Sequence, residues 1–312
     1  MLEVPLFIQT QAVAWASWCP VGNGRFSSHS SGFPNKWLAN PPEWLPRPSD
    51  INPVESPEGI YGTPWFIRPC NGRMAICITE YSERGILWWV LAPLRHEFLR
   101  TGAWVTAWVK AWKCRGDRSQ PGEYGVDLRI EPPPVKAKAL QSLFDRNNLA
   151  TLLGGAQALV DHARIIVFSE TLSSNVFESV LPLVPCARRI ELALATGWSS
   201  RRLYWDMRIC RKVEQDPSLT VWRWEDVADY PIGGYENILH EAISLGKDAA
   251  VWDLLNRPSR NSMMRLALVV IAFLVFAQLI GAFFGLRPAK QQGEGQLPVH
   301  EVDPASRREL KQ

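Results

Sequence analysis

The run of residues 266–286 near the C-terminus carries no charged side chain, and Gln278 is its one strongly polar residue. As a helix it would be about 31 Å long at ~1.5 Å per residue, which matches a bilayer core of roughly 30 Å. Fourteen of its residues are Leu, Ile, Val or Phe, each favouring insertion by about 0.3–0.6 kcal/mol. The run therefore predicts a transmembrane helix that begins at Leu266, passes Phe276 near its middle and ends at Leu286.

The alternative for this run is a buried helix of a water-soluble domain. Such helices rarely stay uncharged beyond about 14 residues, and Arg265 and Arg287 bound the run on both sides. Gly281 and Gly285 form a small-xxx-small pair, the spacing that lets two membrane helices approach closely. A homodimer through the transmembrane helix is therefore a further expectation.

Positive charges beside the predicted span set its orientation. Arg257, Arg260 and Arg265 precede the span, whereas Arg287 and Lys290 follow it. The first twenty residues contain no Lys or Arg and no sustained apolar stretch, so they do not resemble a signal peptide. We expect a single-pass protein of an inner or plasma membrane, with the N-terminal region in the cytoplasm and residues 287–312 as a short, disordered polar tail on the far side.

Composition excludes several functional classes for the region before the span. A formal net charge of +3 without a dense Lys/Arg stripe predicts no nucleic-acid partner. The six cysteines form no CxxC pair and have no His at ligand spacing, so we expect neither a metal site nor a disulfide framework, and no cofactor. Fifteen tryptophans are many for 312 residues; core packing is their expected use, with exposed binding surfaces as the alternative.

Residue patterns predict a mixed α/β fold for this region. In the first half, strands are expected at residues 6–18, 74–81 and 86–92, a Gly/Ser-rich turn at 22–36, a proline-dense irregular connection at 40–69, and helices at 93–100 and 104–112. In the second half, helices are expected at 137–146, 149–162, 174–183, 235–245 and 249–255, with strands at 164–168, 190–195 and 203–211.

The charged, Gly- and Pro-rich stretch 113–134 is the best candidate for a domain boundary. The predicted order is an N-terminal α/β domain at 1–134, a second α/β domain at 135–256, a basic juxtamembrane segment at 257–265, the transmembrane helix at 266–286, and the tail. The fold class expected is thus a mixed α/β soluble region followed by a single transmembrane helix.

Common catalytic motifs, such as the phosphate-binding GxxxxGK[ST] loop, HExxH and GxSxG, do not occur in the chain. The nearest arrangement to an activated nucleophile is His29 among Ser27, Ser28, Ser30 and Ser31, because a serine needs a base within hydrogen-bond reach. An ordinary turn is the alternative reading of the same residues. No catalytic residue is assigned.

The segment TGWSSRR at residues 196–202 combines hydroxyl groups with two guanidinium groups. Arginine binds phosphate and carboxylate groups through two parallel hydrogen bonds, so this segment is a candidate contact for a protein partner. The alternative is a solvated turn between strands. The candidate partner-binding residues are Thr196, Ser199, Ser200, Arg201 and Arg202.

Residues 177–202 resemble the middle region of bacterial GTPase-associated proteins, in which a helix ending in Leu-Pro is followed by an Arg and by a strand that closes in Thr-Gly. The matching positions are Leu183, Pro185, Arg189, Thr196 and Gly197. The early strand and the GRFSSHSSGFP stretch are similar to that family's opening strand and Ser-Gly turn, matched by Ser31 and Gly32. Leu194 and Ala195 stand where the family usually has an aromatic residue and a Ser.

The resemblance implies a non-enzymatic adaptor or regulator that works beside a GTPase in bacterial signalling or defence, and it assigns no catalytic residue. Together with the predicted span it suggests a membrane-tethered cytosolic protein that recruits a protein partner, with a GTPase as the candidate. Two alternatives remain open: a membrane-anchored hydrolase with an unfamiliar site, and a structural subunit of an envelope complex.

Overall fold

The computed structural model describes residues 7–19, 24–45, 65–82, 85–115, 123–132, 135–169, 175–197, 204–210, 221–258 and 260–283. The chain divides by its internal contacts into two compact units, Met1–Ser259 and Arg260–Gln312. The first unit contains a mixed sheet and the helices that cover it. In its described residues the second contains one long helix.

Both strands and helices occur throughout the described part of the first unit. Its strands are β1 (Ile8–Gln9), β2 (Trp15–Cys19), β3 (Arg25–His29), β4 (Trp65–Cys70), β5 (Arg73–Ser82), β6 (Gly85–Leu91), β7 (Arg129–Ile130), β8 (Arg164–Phe168), β9 (Leu194–Thr196), β10 (Met207–Cys210) and β11 (Val221–Arg223). Its helices are α1 (Asn35–Ala39), α2 (Arg95–Arg100), α3 (Val105–Cys114), α4 (Ala137–Arg146), α5 (Leu149–Val160), α6 (Asn175–Val180), α7 (Cys186–Arg189), α8 (Gly234–Ser244) and α9 (Asp248–Leu255). The predicted mixed α/β class is confirmed.

Nine of these strands form one sheet in the order β11-β8-β10-β9-β4-β5-β6-β2-β3. The strands β11, β8, β10 and β9 run parallel, whereas the neighbours from β9 to β3 pair antiparallel. The two halves meet where β4 pairs with β9, with Phe66 opposite Ala195. Residues on both sides of the predicted boundary at residues 134 and 135 therefore build a single sheet. A separate pair, β1 and β7, lies outside it.

Side chains alternate across the sheet and divide the core into two clusters. In β4, Trp65 and Ile67 belong to the larger cluster, which the helices α3, α4, α5, α8 and α9 also fill, whereas Phe66 belongs to the smaller cluster. The smaller cluster contains a chain of rings, Trp18–Phe26–Phe33–Trp37–Trp44–Phe66, whose consecutive centroids lie 4.8–5.7 Å apart. Such ring pairs contribute about 0.5–1.5 kcal/mol each beyond burial.

Eleven of the tryptophans that the structure describes are buried, so packing accounts for most of the high tryptophan content. They are Trp15, Trp18, Trp37, Trp44, Trp65, Trp88, Trp89, Trp104, Trp108, Trp112 and Trp205. Of the remaining described ones, Trp252 is 57% exposed. The predicted use of tryptophan in the core is therefore confirmed for most positions that the structure describes.

The strongly patterned segments fold as predicted. Helix α4 and strand β8 have the expected bounds, and β5 and β6 pair antiparallel as expected. Helix α5 begins after Asn148, whose side-chain oxygen accepts a hydrogen bond from the Thr151 N–H at 3.3 Å. This is the usual way in which a side chain satisfies an open N–H group at a helix start.

Several segments differ from the prediction, and two of them have a clear physical reason. Residues 25–29, expected in a turn, form β3, an edge strand with mostly exposed side chains. The Gly/Ser-rich composition of residues 22–36 is typical of a turn and gives no strand pattern. Residues 65–69, expected to be irregular because of their prolines, belong to β4. Pro69 is tolerated for two reasons. Strand β9 pairs only with Trp65–Ile67, so it offers no partner at Pro69. On the other side, the Met74 N–H opposite Pro69 is directed away from β4 and donates to the Pro93 carbonyl. The missing N–H of Pro69 thus costs no ladder bond.

Helix α10 (Arg260–Phe283) is the described element of the second unit. The structure gives the exposure of Met264 and of residues 267–280 in this helix, and all are exposed. Among the described residues, no helix meets the length and apolarity needed to cross a membrane.

Candidate functional site

A cleft of about 500 Å³ opens on the first unit between α3 and the β1/β7 pair. This volume is within the roughly 300–1,000 Å³ typical of ligand pockets. Its walls come from five separate parts of the chain: Phe7; Trp104, Thr106, Ala107, Lys110, Ala111 and Cys114; Arg129, Glu131 and Pro132; Leu143; and Glu178.

Helix α3 forms one wall because its two faces differ in side-chain size. Its bulky face is fixed in the core, where Trp108 and Trp112 are at most 1% exposed. The Trp108 ring is also held by its Nε1–H, which donates to Thr101 Oγ1 at 2.7 Å. The cleft side carries residues at i, i+3, i+4 and i+7 spacing, which places them on one helix face: Ala107, Lys110, Ala111 and Cys114. The small alanine side chains leave the space that the cleft occupies.

Strand β7 and the residue after it form the opposite wall. Arg129 and Glu131 both line the cleft, while Ile130 between them is fully buried, as alternation along an extended chain requires. The Arg129 guanidinium carbon lies 3.7 Å from the centroid of the Phe7 ring. This cation–π contact stabilises the guanidinium by about 0.5–1 kcal/mol at an exposed site and holds it at the rim.

The rim carries two cations and two carboxylates: Lys110, Arg129, Glu131 and Glu178. All four residues are exposed. Within the described part of the chain, none of them takes part in an ion pair of 4.0 Å or less. Their charges are therefore available to a ligand that carries both signs.

A buried hydroxyl is among the groups that line the cleft. Thr106 is 7% exposed, and its Oγ1 has no hydrogen-bond partner among the described residues. An unsatisfied buried polar group costs about 1–3 kcal/mol. The cleft therefore combines apolar side chains, charges of both signs and an unused polar atom, which is the composition of a recognition site.

The predicted partner-binding segment has a different character where the structure describes it. Thr196 ends β9 and is 1% exposed, and its Oγ1 accepts a hydrogen bond from the Trp65 N–H at 3.2 Å. It therefore joins β9 to β4 inside the sheet. Ser199, Ser200, Arg201 and Arg202 lie outside the described residues.

The serine-rich candidate lies on paired strands rather than in a turn. The hydroxyls of Ser27 and Ser28 are 2.6 and 2.7 Å from Ser17 Oγ on β2. His29 Nδ1 lies 3.0 Å from the carbonyl oxygen of Ser30, so this ring nitrogen donates to the main chain. Across all residues that the structure describes, no group of three His, Cys, Asp or Glu side chains could hold a metal ion.

Among the predicted membrane residues, Phe276 and Gln278 on α10 are exposed. The same helix includes Leu266 and Gly281. Gly285 and Leu286 lie outside the described residues.

Arg189, one of the positions that carry the GTPase-associated likeness, is a buried structural residue. Its Nε donates to the Val184 carbonyl at 2.8 Å and its Nη1 to the Gly102 carbonyl at 2.6 Å. Burial lowers the pKa of its guanidinium from the ordinary value. No protein-family model and no curated protein matches the chain. The likeness to that family therefore stays a prediction.

The cleft residues were not singled out by sequence reasoning. The signal that could have found one wall is the small-residue face of α3 opposite its tryptophan face. The lining residues outside 104–114 lie 15 or more residues away from this wall along the chain, and only the fold brings them together.

Proposed function

We propose that this protein is a membrane-tethered adaptor whose first unit recruits a protein partner. One observation carries the tether: every side chain of α10 whose exposure the structure gives is exposed, and Gln278 is the only polar one among them. A helix that is apolar on all sides is stable only inside a larger core or a bilayer. The first unit supplies the recognition surface, the cleft at α3.

The described side chains of α10 span fewer residues than the roughly 20 that a bilayer requires. The uncharged run of residues 266–286 extends past Phe283, the last described residue, and is long enough to cross. The excess of Arg257, Arg260 and Arg265 over Arg287 and Lys290 favours a cytoplasmic first unit. Gly281 and Gly285 would permit close packing of two such helices.

The proposed partner is a GTPase, on the basis of the likeness to bacterial GTPase-associated proteins, and the proposed setting is bacterial signalling or defence. The cleft supports recruitment because its free charges and apolar lining side chains suit a protein segment. An adaptor of this design would concentrate its partner at the membrane surface.

The tether is tested by fractionating cells that express the full chain and extracting their membranes with alkaline carbonate. We expect the chain to stay in the membrane pellet. The double variant Leu274→Arg/Phe276→Arg should no longer be found in the pellet. Two charges near the centre cost about 5–7 kcal/mol, which cancels the roughly 4–7 kcal/mol from the twelve apolar residues that remain. Gln278→Leu is the matched control and should remain in the pellet. Release of the unmodified chain by carbonate would contradict the tether.

Recruitment is tested with the full chain immobilised in neutral detergent and exposed to a membrane extract labelled with a photoreactive GTP analogue. We expect retention of a labelled GTP-binding protein, and its loss when an excess of the free chain competes. Retention of no labelled protein would remove the GTPase from the proposal.

A further inference from the structure

We propose that the cleft binds an extended peptide segment with an acidic and a basic side chain two residues apart and an apolar side chain between them. This rests on the proposed function in one respect, that the partner is a protein. The cleft would then determine which sequence the adaptor recruits.

The spacing of the charges on the β7 wall carries the first step. Arg129 belongs to β7, Glu131 follows it directly, and both line the cleft. Side chains two residues apart leave an extended backbone about 6.6 Å from each other. An extended ligand beside this wall presents its own i and i+2 side chains at the same spacing. An acidic residue can therefore face Arg129 while a basic residue faces Glu131.

The opposite wall carries the second step. The middle side chain of such a segment points away from β7, toward the face of α3 where Ala107 and Ala111 leave space. Trp104 and Leu143 add apolar surface to the same cleft. A Leu-sized side chain would be removed from water there.

The remaining charges favour the same ligand. Lys110 and Glu178 lie at the rim and have no ion-pair partner among the described residues. A ligand of a single charge would meet two carboxylates or two cations of its own sign, and such like-charge contacts suppress wrong partners. Arg129, stacked on Phe7, is pre-ordered to bind a carboxylate through two hydrogen bonds.

The test uses fluorescein-labelled dodecapeptides of Gly and Ser with a central triplet, titrated into the full chain in neutral detergent and followed by anisotropy. The five triplets are Glu-Leu-Lys, Lys-Leu-Glu, Glu-Leu-Glu, Lys-Leu-Lys and Gln-Leu-Gln. We expect one of the two mixed-charge peptides, whichever matches the binding direction, to bind at least about tenfold more tightly than either like-charge peptide. Equal binding of all five, or binding of none, would overturn the proposal.

The decisive variant exchanges the two wall charges, Arg129→Glu/Glu131→Arg. It keeps the net charge and should invert the preference between Glu-Leu-Lys and Lys-Leu-Glu. The matched control exchanges two exposed charges on α4, Lys138→Glu/Asp145→Lys, and should leave the preference unchanged. An exchange variant that keeps the original preference would refute the assignment of Arg129 and Glu131.

Two further readouts keep the test decisive if the exchange variant does not fold. Lys110→Glu alters an exposed residue of α3 and leaves the Arg129–Phe7 contact in place; it should weaken the preferred peptide at least about threefold. In the unmodified chain, bound peptide should slow iodoacetamide alkylation of Cys114, which is exposed and lines the cleft. Unchanged affinity and unchanged alkylation would together refute the site.

Failure of this inference is distinguishable from failure of the proposed function. The variant Leu274→Arg/Phe276→Arg should be absent from the membrane pellet but should still bind the preferred peptide. Conversely, if the chain retains a GTP-binding protein yet shows no peptide preference, the adaptor proposal stands and the proposal of peptide binding in the cleft is refuted.

Discussion

Arg188 on α7 and Asp206, which precedes β10, form a buried ion pair with 2.7 Å between Nη2 and Oδ1. The pair is part of a larger network: Arg188 Nε donates to the Leu159 carbonyl at 2.8 Å, and Asp206 Oδ2 accepts from the Ala193 N–H at 2.7 Å. The carboxylate thus ties the start of β10 to α7 and to the residue before β9, and Arg188 extends the network to α5. This network sets the register at the centre of the parallel half of the sheet.

Asp206→Asn should lower the free energy of unfolding by about 3–5 kcal/mol, because the amide leaves the buried Arg188 charge uncompensated. Denaturant unfolding of the full chain in neutral detergent, followed by fluorescence of the buried tryptophans, measures the change. Glu191→Gln is the control: Glu191 lies 3.8 Å from Arg188 and is partly exposed, and its loss should cost no more than about 1 kcal/mol. Equal effects of the two variants would show that the buried pair has no special role.

Gly154 in α5 should not tolerate a side chain. A Cβ at this position would lie 1.9 Å from the Val227 carbonyl oxygen, so the 3₁₀ turn at Val227–Asp229 would have to move. Gly154→Ala should therefore destabilise the protein by about 2–3 kcal/mol, in spite of the better helix propensity of alanine. Gly234→Ala places a Cβ in open space at the start of α8 and should be neutral or stabilising by up to about 1 kcal/mol. Denaturant midpoints of the two variants provide the comparison.

Much of the fold was predictable where local pattern and burial agree. Helix α4 shows a clear amphipathic period with Leu140 and Phe144 buried, and β8 is a short apolar run. The edge strand β3 was missed because its residues contact few core side chains, so its pairing with β2 leaves little trace in composition. Strand β11 was missed as well, since its three residues are held by pairing with β8 rather than by burial.

The cleft was beyond sequence reasoning for a different reason. Its charged residues look like ordinary solvated side chains in the sequence, and only tertiary structure shows that Arg129 and Glu178 share a rim. Conversely, Thr196 was a candidate partner contact in the sequence but is buried in the sheet region. Polar residue type alone did not separate recognition from structure.

Tyr235 should make stability depend on alkaline pH. Its hydroxyl donates to the Leu183 carbonyl at 2.5 Å, and burial raises the pKa of the phenol above its ordinary value near 10, although the Arg189 charge acts in the opposite direction. Above about pH 10 the unfolded chain releases this proton while the folded chain retains it, so stability falls as pH rises.

Tyr235→Phe removes this dependence. At pH 8 the variant should be less stable than the unmodified chain by about 1–3 kcal/mol, because the Leu183 carbonyl loses its donor. Between pH 10 and 11 the difference should become smaller, since only the unmodified chain loses stability through this phenol. Denaturant unfolding at both pH values tests the sign. A difference that stays constant with pH would show that the phenol does not titrate differently in the two states.

Thr106→Val should raise stability and weaken binding in the cleft at the same time. Valine has nearly the shape of threonine and removes a buried oxygen that has no partner among the described residues, so we expect a gain of about 0.5–1.5 kcal/mol. Thr101→Val is the matched control. The Thr101 hydroxyl accepts from Trp108 Nε1 and donates to the Phe98 carbonyl, so this variant should lose about 1–3 kcal/mol.

If Thr106 serves a ligand, its valine variant also binds the preferred mixed-charge peptide less tightly, whereas a gain in stability with unchanged affinity would make the Thr106 hydroxyl a packing defect. The pair of variants thus separates a polar group kept for recognition from one kept for structure.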